Sequence, residues 1–97
     1  MREYEVTIII QSQLEDDERN KLIERVSELL APGANEEEKP TTDEWGMRRL
    51  AYPIKKHTEG YYVLYEGVLE PARIPEAERS MQYMEDILRY LIVRKET

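Results

Sequence analysis

The sequence predicts an α+β fold: a four-stranded antiparallel sheet in the order β-α-β-β-α-β, with two helices packed on one face. Three observations lead there. Residues 2–10 alternate with period two, placing Tyr4, Val6, Ile8 and Ile10 on one face and Glu3, Glu5 and Thr7 on the other. Two later stretches carry apolar residues at spacings of three and four, the stripe of a helix that covers a sheet. The 97 residues are the length of one small domain, which we place at 1–97. Two helices, each with a single apolar stripe, cover one face of such a sheet and leave the other open.

The first strand gives way to a polar connection, Gln11 to Leu14, after which Asp16 or Asp17 is positioned to cap a helix running to about Leu30. Its stripe is Leu22, Ile23, Val26, Leu29 and Leu30, and Pro32-Gly33 ends it. Residues 33–44 hold no large apolar side chain and are read as a mobile acidic loop. Extended structure resumes at Trp45 and runs to Ile54; Pro53 cannot donate to a ladder, so this strand is expected at a sheet edge or paired on one side only near its end. Lys55 to Gly60 is a turn. Tyr61-Tyr62-Val63-Leu64-Tyr65 has the aromatic and branched content of a central strand. A second helix starts at Ala72 or Pro75 and runs to Tyr83, with Ile74, Ala77, Met81 and Met84 as its stripe. Ile87 to Arg94 is the last strand. The arrangement is ferredoxin-like, with the first and third strands central.

Composition narrows the function. The chain has no Cys and one His, which excludes disulfides, thiolate zinc sites and a cysteine nucleophile and argues against a histidine metal centre or a bound cofactor. No apolar run approaches the ~20 residues of a bilayer span, and Met1 leads directly into a strand with no signal segment, so a cytoplasmic protein is expected. The net charge of −7 is unevenly placed: residues 1–44 carry −8 and residues 45–97 carry +1. The acidic runs Glu15–Glu18 and Glu36–Glu38 read as a solvated helix start and loop, whereas basic residues come in pairs, Arg48-Arg49, Lys55-Lys56 and Arg94-Lys95. That balance disfavours non-specific polyanion binding and leaves room for a local basic face.

An unpaired arginine is costly in so small a core, so Arg89 faces outward from the last strand. Period two then takes Leu91 and Val93 outward with it, and turns Tyr90 and Ile92 toward the helices. Glu66 likewise brings Leu64 and Tyr62 to the open face. Mixed apolar and basic surface of this kind marks a contact site, unless the chain ends cover it. Enzymatic readings fail. The first connection is acidic and lacks the glycines of an acylphosphatase phosphate loop. His57 sits in a polar turn, and Glu85-Asp86 lies where no apolar pocket would raise a carboxyl pKa. An RNA-recognition motif shares the topology, but Glu59 replaces the basic residue expected before Gly60 and the spacing is one residue short.

Arg2-Glu3-Tyr4-Glu5-Val6, the block Glu44 to Ile54 with its Trp-Gly-Met-Arg-Arg-Leu-Ala-Tyr-Pro-Ile run, Glu59 to Leu64 and Ile87 to Arg94 resemble the bacterial small-subunit ribosomal protein S-six family across nearly the whole chain. The resemblance implies a non-enzymatic structural role, with the ferredoxin-like fold reached above. It implies binding to the central domain of small-subunit rRNA as a heterodimer with ribosomal protein eighteen of the same subunit. It points to Arg2, Arg89 and Arg94 as RNA contacts, and to Arg48, Arg49, Leu50 and Tyr52, together with outward Leu91 and Val93, as a strip for the partner protein or adjacent RNA. A basic partner would offset the acidity of this chain. Three departures stand out: an acidic 33–44 segment without the expected valines, which predicts that the start of the second strand is lost; Gly67 at the end of the third strand, which predicts a bulge or loose packing there; and no acidic tail beyond Thr97. The competing expectation is a stand-alone ferredoxin-like interaction or sensing domain that self-associates through its open face.

Overall fold

In the computed structural model, which describes residues 1–95, the elements follow as β1 (Arg2–Gln11), α1 (Asp16–Leu30), β2 (Thr41–Ile54), β3 (His57–Leu69), a 3₁₀ turn (Pro71–Arg73), α2 (Ile74–Gln82) and β4 (Ile87–Arg94). Glu96 and Thr97, at the end of the expected 1–97 domain, lie outside the described residues. The four strands form one antiparallel sheet in the order β2-β3-β1-β4. This is the ferredoxin-like arrangement, with β1 and β3 central.

The even-numbered residues of β1 face the helices. Val6, Ile8 and Ile10 are fully buried there with Val63 and Tyr65 of β3, Val26 and Leu30 of α1, and Ala77 and Met81 of α2. The Tyr65 ring fills the centre, and its hydroxyl donates to the Ile23 carbonyl oxygen at 2.8 Å, satisfying a polar group that water cannot reach. Tyr90 and Ile92 pack on the same core. α1 begins at Asp16 with Glu15 in the capping position, and neither Asp16 nor Asp17 caps it. Instead Asp16 pairs with Arg19 at 2.8 Å, and the acidic first turn complements the helix dipole.

Two expectations are corrected around β2. The strand begins at Thr41, so the connection is shorter than 33–44: Thr41–Glu44 pair with Val63–Glu66, and Thr41 Oγ1 donates to the Glu66 carbonyl at 3.1 Å. Backbone pairing with a central strand sufficed without apolar side chains. The preceding turn closes on itself, with the Glu38 N–H donating to Asn35 Oδ1 at 3.0 Å and the Asn35 N–H to Glu38 Oε1 at 3.3 Å. Gly67 neither bulges nor packs loosely: it stands in regular register opposite Tyr4, and a Cβ there would lie 3.0 Å from Pro40 Cα. The missing side chain is the space into which Pro40 buries.

β2 has two irregularities. Trp45 is an extra residue beside Gly46, whose φ of +89° is the geometry of a glycine bulge. Four residues, Leu50–Pro53, then intervene between Arg49, paired with Glu59, and Ile54, paired with His57. The hairpin closes through Lys55 and Lys56 alone, both with positive φ, 50° and 71°. That is the pattern of a type I′ turn, in which a side chain with a Cβ costs roughly 1–2 kcal/mol per residue relative to glycine.

Candidate functional site

Strand register sets out the face opposite the helices as three rows. Tyr62, Ile9 and Arg89 form one, with Gly46 at the β2 end; Leu64, Thr7 and Leu91 the next, with Asp43; and Glu66, Glu5 and Val93 the third, with Thr41. Leu91 is 60% and Val93 45% exposed, so no segment among the described residues covers them. The apolar and basic surface expected from strand alternation is present along β4.

Toward the hairpin the face is closed by the chain itself. Gly60 has no Cβ, and one there would collide with the Ile9 Cγ2 methyl and meet Leu50 Cδ2 at 3.6 Å. Into that gap the irregular Leu50–Pro53 stretch folds over the sheet, burying Leu50 with Ile9 and Leu88, flanked by Ile54 and Tyr62. Leu50, expected in the contact strip, is therefore only 8% exposed, held by apolar contacts within its own chain. Its neighbour Tyr52 stays outside, 53% exposed. Its hydroxyl accepts a 2.6 Å hydrogen bond from Arg89 Nη1, and the guanidinium carbon lies 5.5 Å from its ring centroid. β2 and β4 are the two edges of the sheet, about 14 Å apart by strand spacing, so this contact joins them across the intervening strands. Arg48 stacks over Trp45 at 5.2 Å, and the Trp45 indole N–H donates to Asp43 at 3.0 Å. Arg49 is exposed, opposite Glu59.

At the far end Lys95 Nζ sits between Glu66 Oε2, 2.7 Å away, and Glu5 Oε2, 3.1 Å away. Those hydrogen bonds, Glu66 first and then Glu5, raise its pKa above the usual lysine value. Of the Arg94-Lys95 pair, then, the lysine is neutralised by the chain's own carboxylates. Arg94 stands opposite Tyr4 and Arg2 opposite Leu69, in rows that alternate toward the helix side. Both are exposed, and Arg94 lies roughly 16 Å along β4 from Arg89.

The structure thus brings Arg48, Tyr52, Arg89, Leu91 and Val93 onto one face and leaves Arg2 and Arg94 together at the other end of the sheet. Sequence reasoning missed the Lys95–Glu5–Glu66 cluster, although alternation alone puts all three on the open face. It also missed the Tyr52–Arg89 bond, which no local pattern encodes. Asp86, singled out as one of two adjacent carboxylates, accepts from Gln11 Nε2 at 3.1 Å and ties the end of β1 to the start of β4. Among the described residues no three His, Asp or Glu side chains are placed to hold a metal ion, and no helix is long and apolar enough to cross a membrane.

Fold and face together define a ferredoxin-like binding module: a sheet whose exposed side offers arginines supported by aromatic rings beside bare aliphatic side chains. Comparison with known proteins makes this specific. The family profile described as Ribosomal protein S6 matches residues 3–94. The small ribosomal subunit protein bS6 of Caldanaerobacter subterraneus subsp. tengcongensis is 43% identical over 94 residues, covering 97% of each chain. That of Moorella thermoacetica is 38% identical over 96 residues, 99% of this chain and 96% of the relative. The crystal structure of 30S ribosomal protein S6 from Thermotoga maritima superposes with a TM-score of 0.86 at 29% identity, covering 97% of this chain and 87% of that one. The chain belongs to the ribosomal protein S6 family. It is a structural protein of the small ribosomal subunit, not an enzyme, and its place is on the cytoplasmic ribosome.

Proposed function

We propose that this chain binds the central domain of small-subunit rRNA as a heterodimer with ribosomal protein eighteen of the same subunit. The observation that carries the reading is the face on which Arg89, supported by Tyr52, lies beside exposed Leu91 and Val93. Aliphatic side chains on a sheet face suit a protein partner, and Arg48 and Arg89 on the same face suit phosphate. A chain of net charge −7 gains little from RNA at long range. A basic partner seated on Leu91 and Val93 would supply the attraction, and the arginines would then set the orientation. Arg2 and Arg94, at the opposite end of the sheet, form a second and separate RNA contact in this reading.

The test is a titration against a central-domain rRNA fragment, with and without ribosomal protein eighteen, at two salt concentrations. Binding should be tight and salt-sensitive only with the partner present. Arg89→Ala should flatten the slope of log affinity against log salt by about one unit, and Leu91→Glu should abolish the partner's effect. Binding that ignores both substitutions would move the interface elsewhere on the molecule.

A further inference from the structure

Lys55 and Lys56 occupy both central positions of the hairpin turn, each with positive φ. Such a turn selects Asn-Gly or Gly-Gly, because a Cβ crowds the neighbouring carbonyl. Nothing inside the fold accounts for lysine at either place. Both side chains are exposed. Among the described residues the paired cations are Arg19, Lys39, Arg73 and Lys95, and no carboxylate lies within ion-pair distance of either turn lysine. From Arg48 to His57 the chain holds four Lys/Arg and no Asp or Glu, although it carries −7 as a whole. The turn also connects to the face described above, since Tyr52, three residues before Lys55, holds the Arg89 guanidinium.

We infer that the Lys55–Lys56 turn is a phosphate-binding tip, holding two cations against the backbone's own preference so that they meet the phosphodiester backbone of RNA. This rests on the RNA-binding reading and extends it to a site on the hairpin beyond the sheet face. A two-residue turn fixes the spacing of the lysine backbones, so ordering costs less on binding than on a flexible loop. Contacts of this kind carry no base information; they position the protein on the RNA.

The double variant Lys55→Asn/Lys56→Gly supplies the residues the turn favours and removes both charges. Its Tm should rise by about 5 °C, while the ratio of rRNA affinities between 50 and 200 mM salt, measured with ribosomal protein eighteen present, should shrink about tenfold. Lys55→Arg/Lys56→Arg should restore the wild-type salt dependence. If wild type binds and Arg89→Ala flattens the slope while the Asn-Gly variant does not, the tip is not at the RNA and this proposal alone falls. A Tm that fails to rise overturns it too, by removing the premise that the lysines sit against the turn's preference. If wild type with its partner does not bind the fragment at all, the RNA-binding reading falls and takes the tip with it.

Discussion

Gly60 governs the hairpin end of the sheet by what it lacks. The space beside it is taken by Ile9 and Leu50, which are buried together with Leu88. Gly60→Ala should force the Ile9 methyl outward and cost about 1–3 kcal/mol, as overpacking usually does. Urea unfolding measures it, and in an Ile9→Ala background the same substitution should cost measurably less, because the colliding atom is gone. Equal costs in both backgrounds would place the strain elsewhere. Gly67 works the same way against Pro40. Neither role was legible from the sequence, where Gly60 read as a turn residue and Gly67 as a weak point. A glycine's purpose depends on which atoms approach it, and here they come from other strands and loops. Arg89 was legible as outward-facing, since a lone charge cannot enter so small a core. Its bond to Tyr52 was not, because 37 residues separate them.

Among the elements, β2 departs furthest from its expected form. Its alternation breaks twice, at Trp45–Gly46 and over Leu50–Pro53, so its residues do not divide cleanly between two faces. The first break keeps Trp45 within reach of Arg48 and Asp43; the second carries Tyr52 over the sheet to Arg89. Gly46 has open space around it but a φ of +89°, so Gly46→Ala should cost about 1 kcal/mol through backbone strain alone, with Gly46→Asn less harmful. Thermal unfolding of the two variants checks the order. An alanine variant as stable as wild type would mean that the bulge does not need glycine. The strand's start at Thr41 escaped notice because Thr41–Glu44 has only polar side chains. Edge strands need no buried row when a central partner supplies the hydrogen bonds. By contrast β1, α1, α2 and β4 follow their patterns closely, since each buries one continuous stripe.

At the scale of the molecule, three groups among the described residues hold their protons more tightly folded than unfolded. Burial, then Glu44 and Glu24, raise the Tyr65 pKa; the hydrogen bond to Glu44, then burial, raise that of Tyr61, against a lowering by Arg19; and Glu66 and Glu5 raise that of Lys95. Their contribution is complete below the unfolded values near 10 and is lost as pH rises through the folded ones. Stability should therefore fall above pH 10, with Tyr65 alone giving a slope of about 1.4 kcal/mol per pH unit. Urea unfolding at pH 8, 10 and 11 measures the slope, and Tyr65→Phe should make it shallower; an identical slope in that variant would clear the buried hydroxyl. The sequence by itself determined the element order, the helix side of the sheet, the outward row of β4 and the family, since period two, period 3.6 and a contiguous signature are local properties of the chain. The tertiary structure alone decided that Arg89 is clasped by Tyr52, that Leu50 turns inward, and that Arg2 stands apart from Arg89. Each of these depends on register between strands distant in sequence, and one inserted residue in a ladder moves every side chain beyond it to the other face.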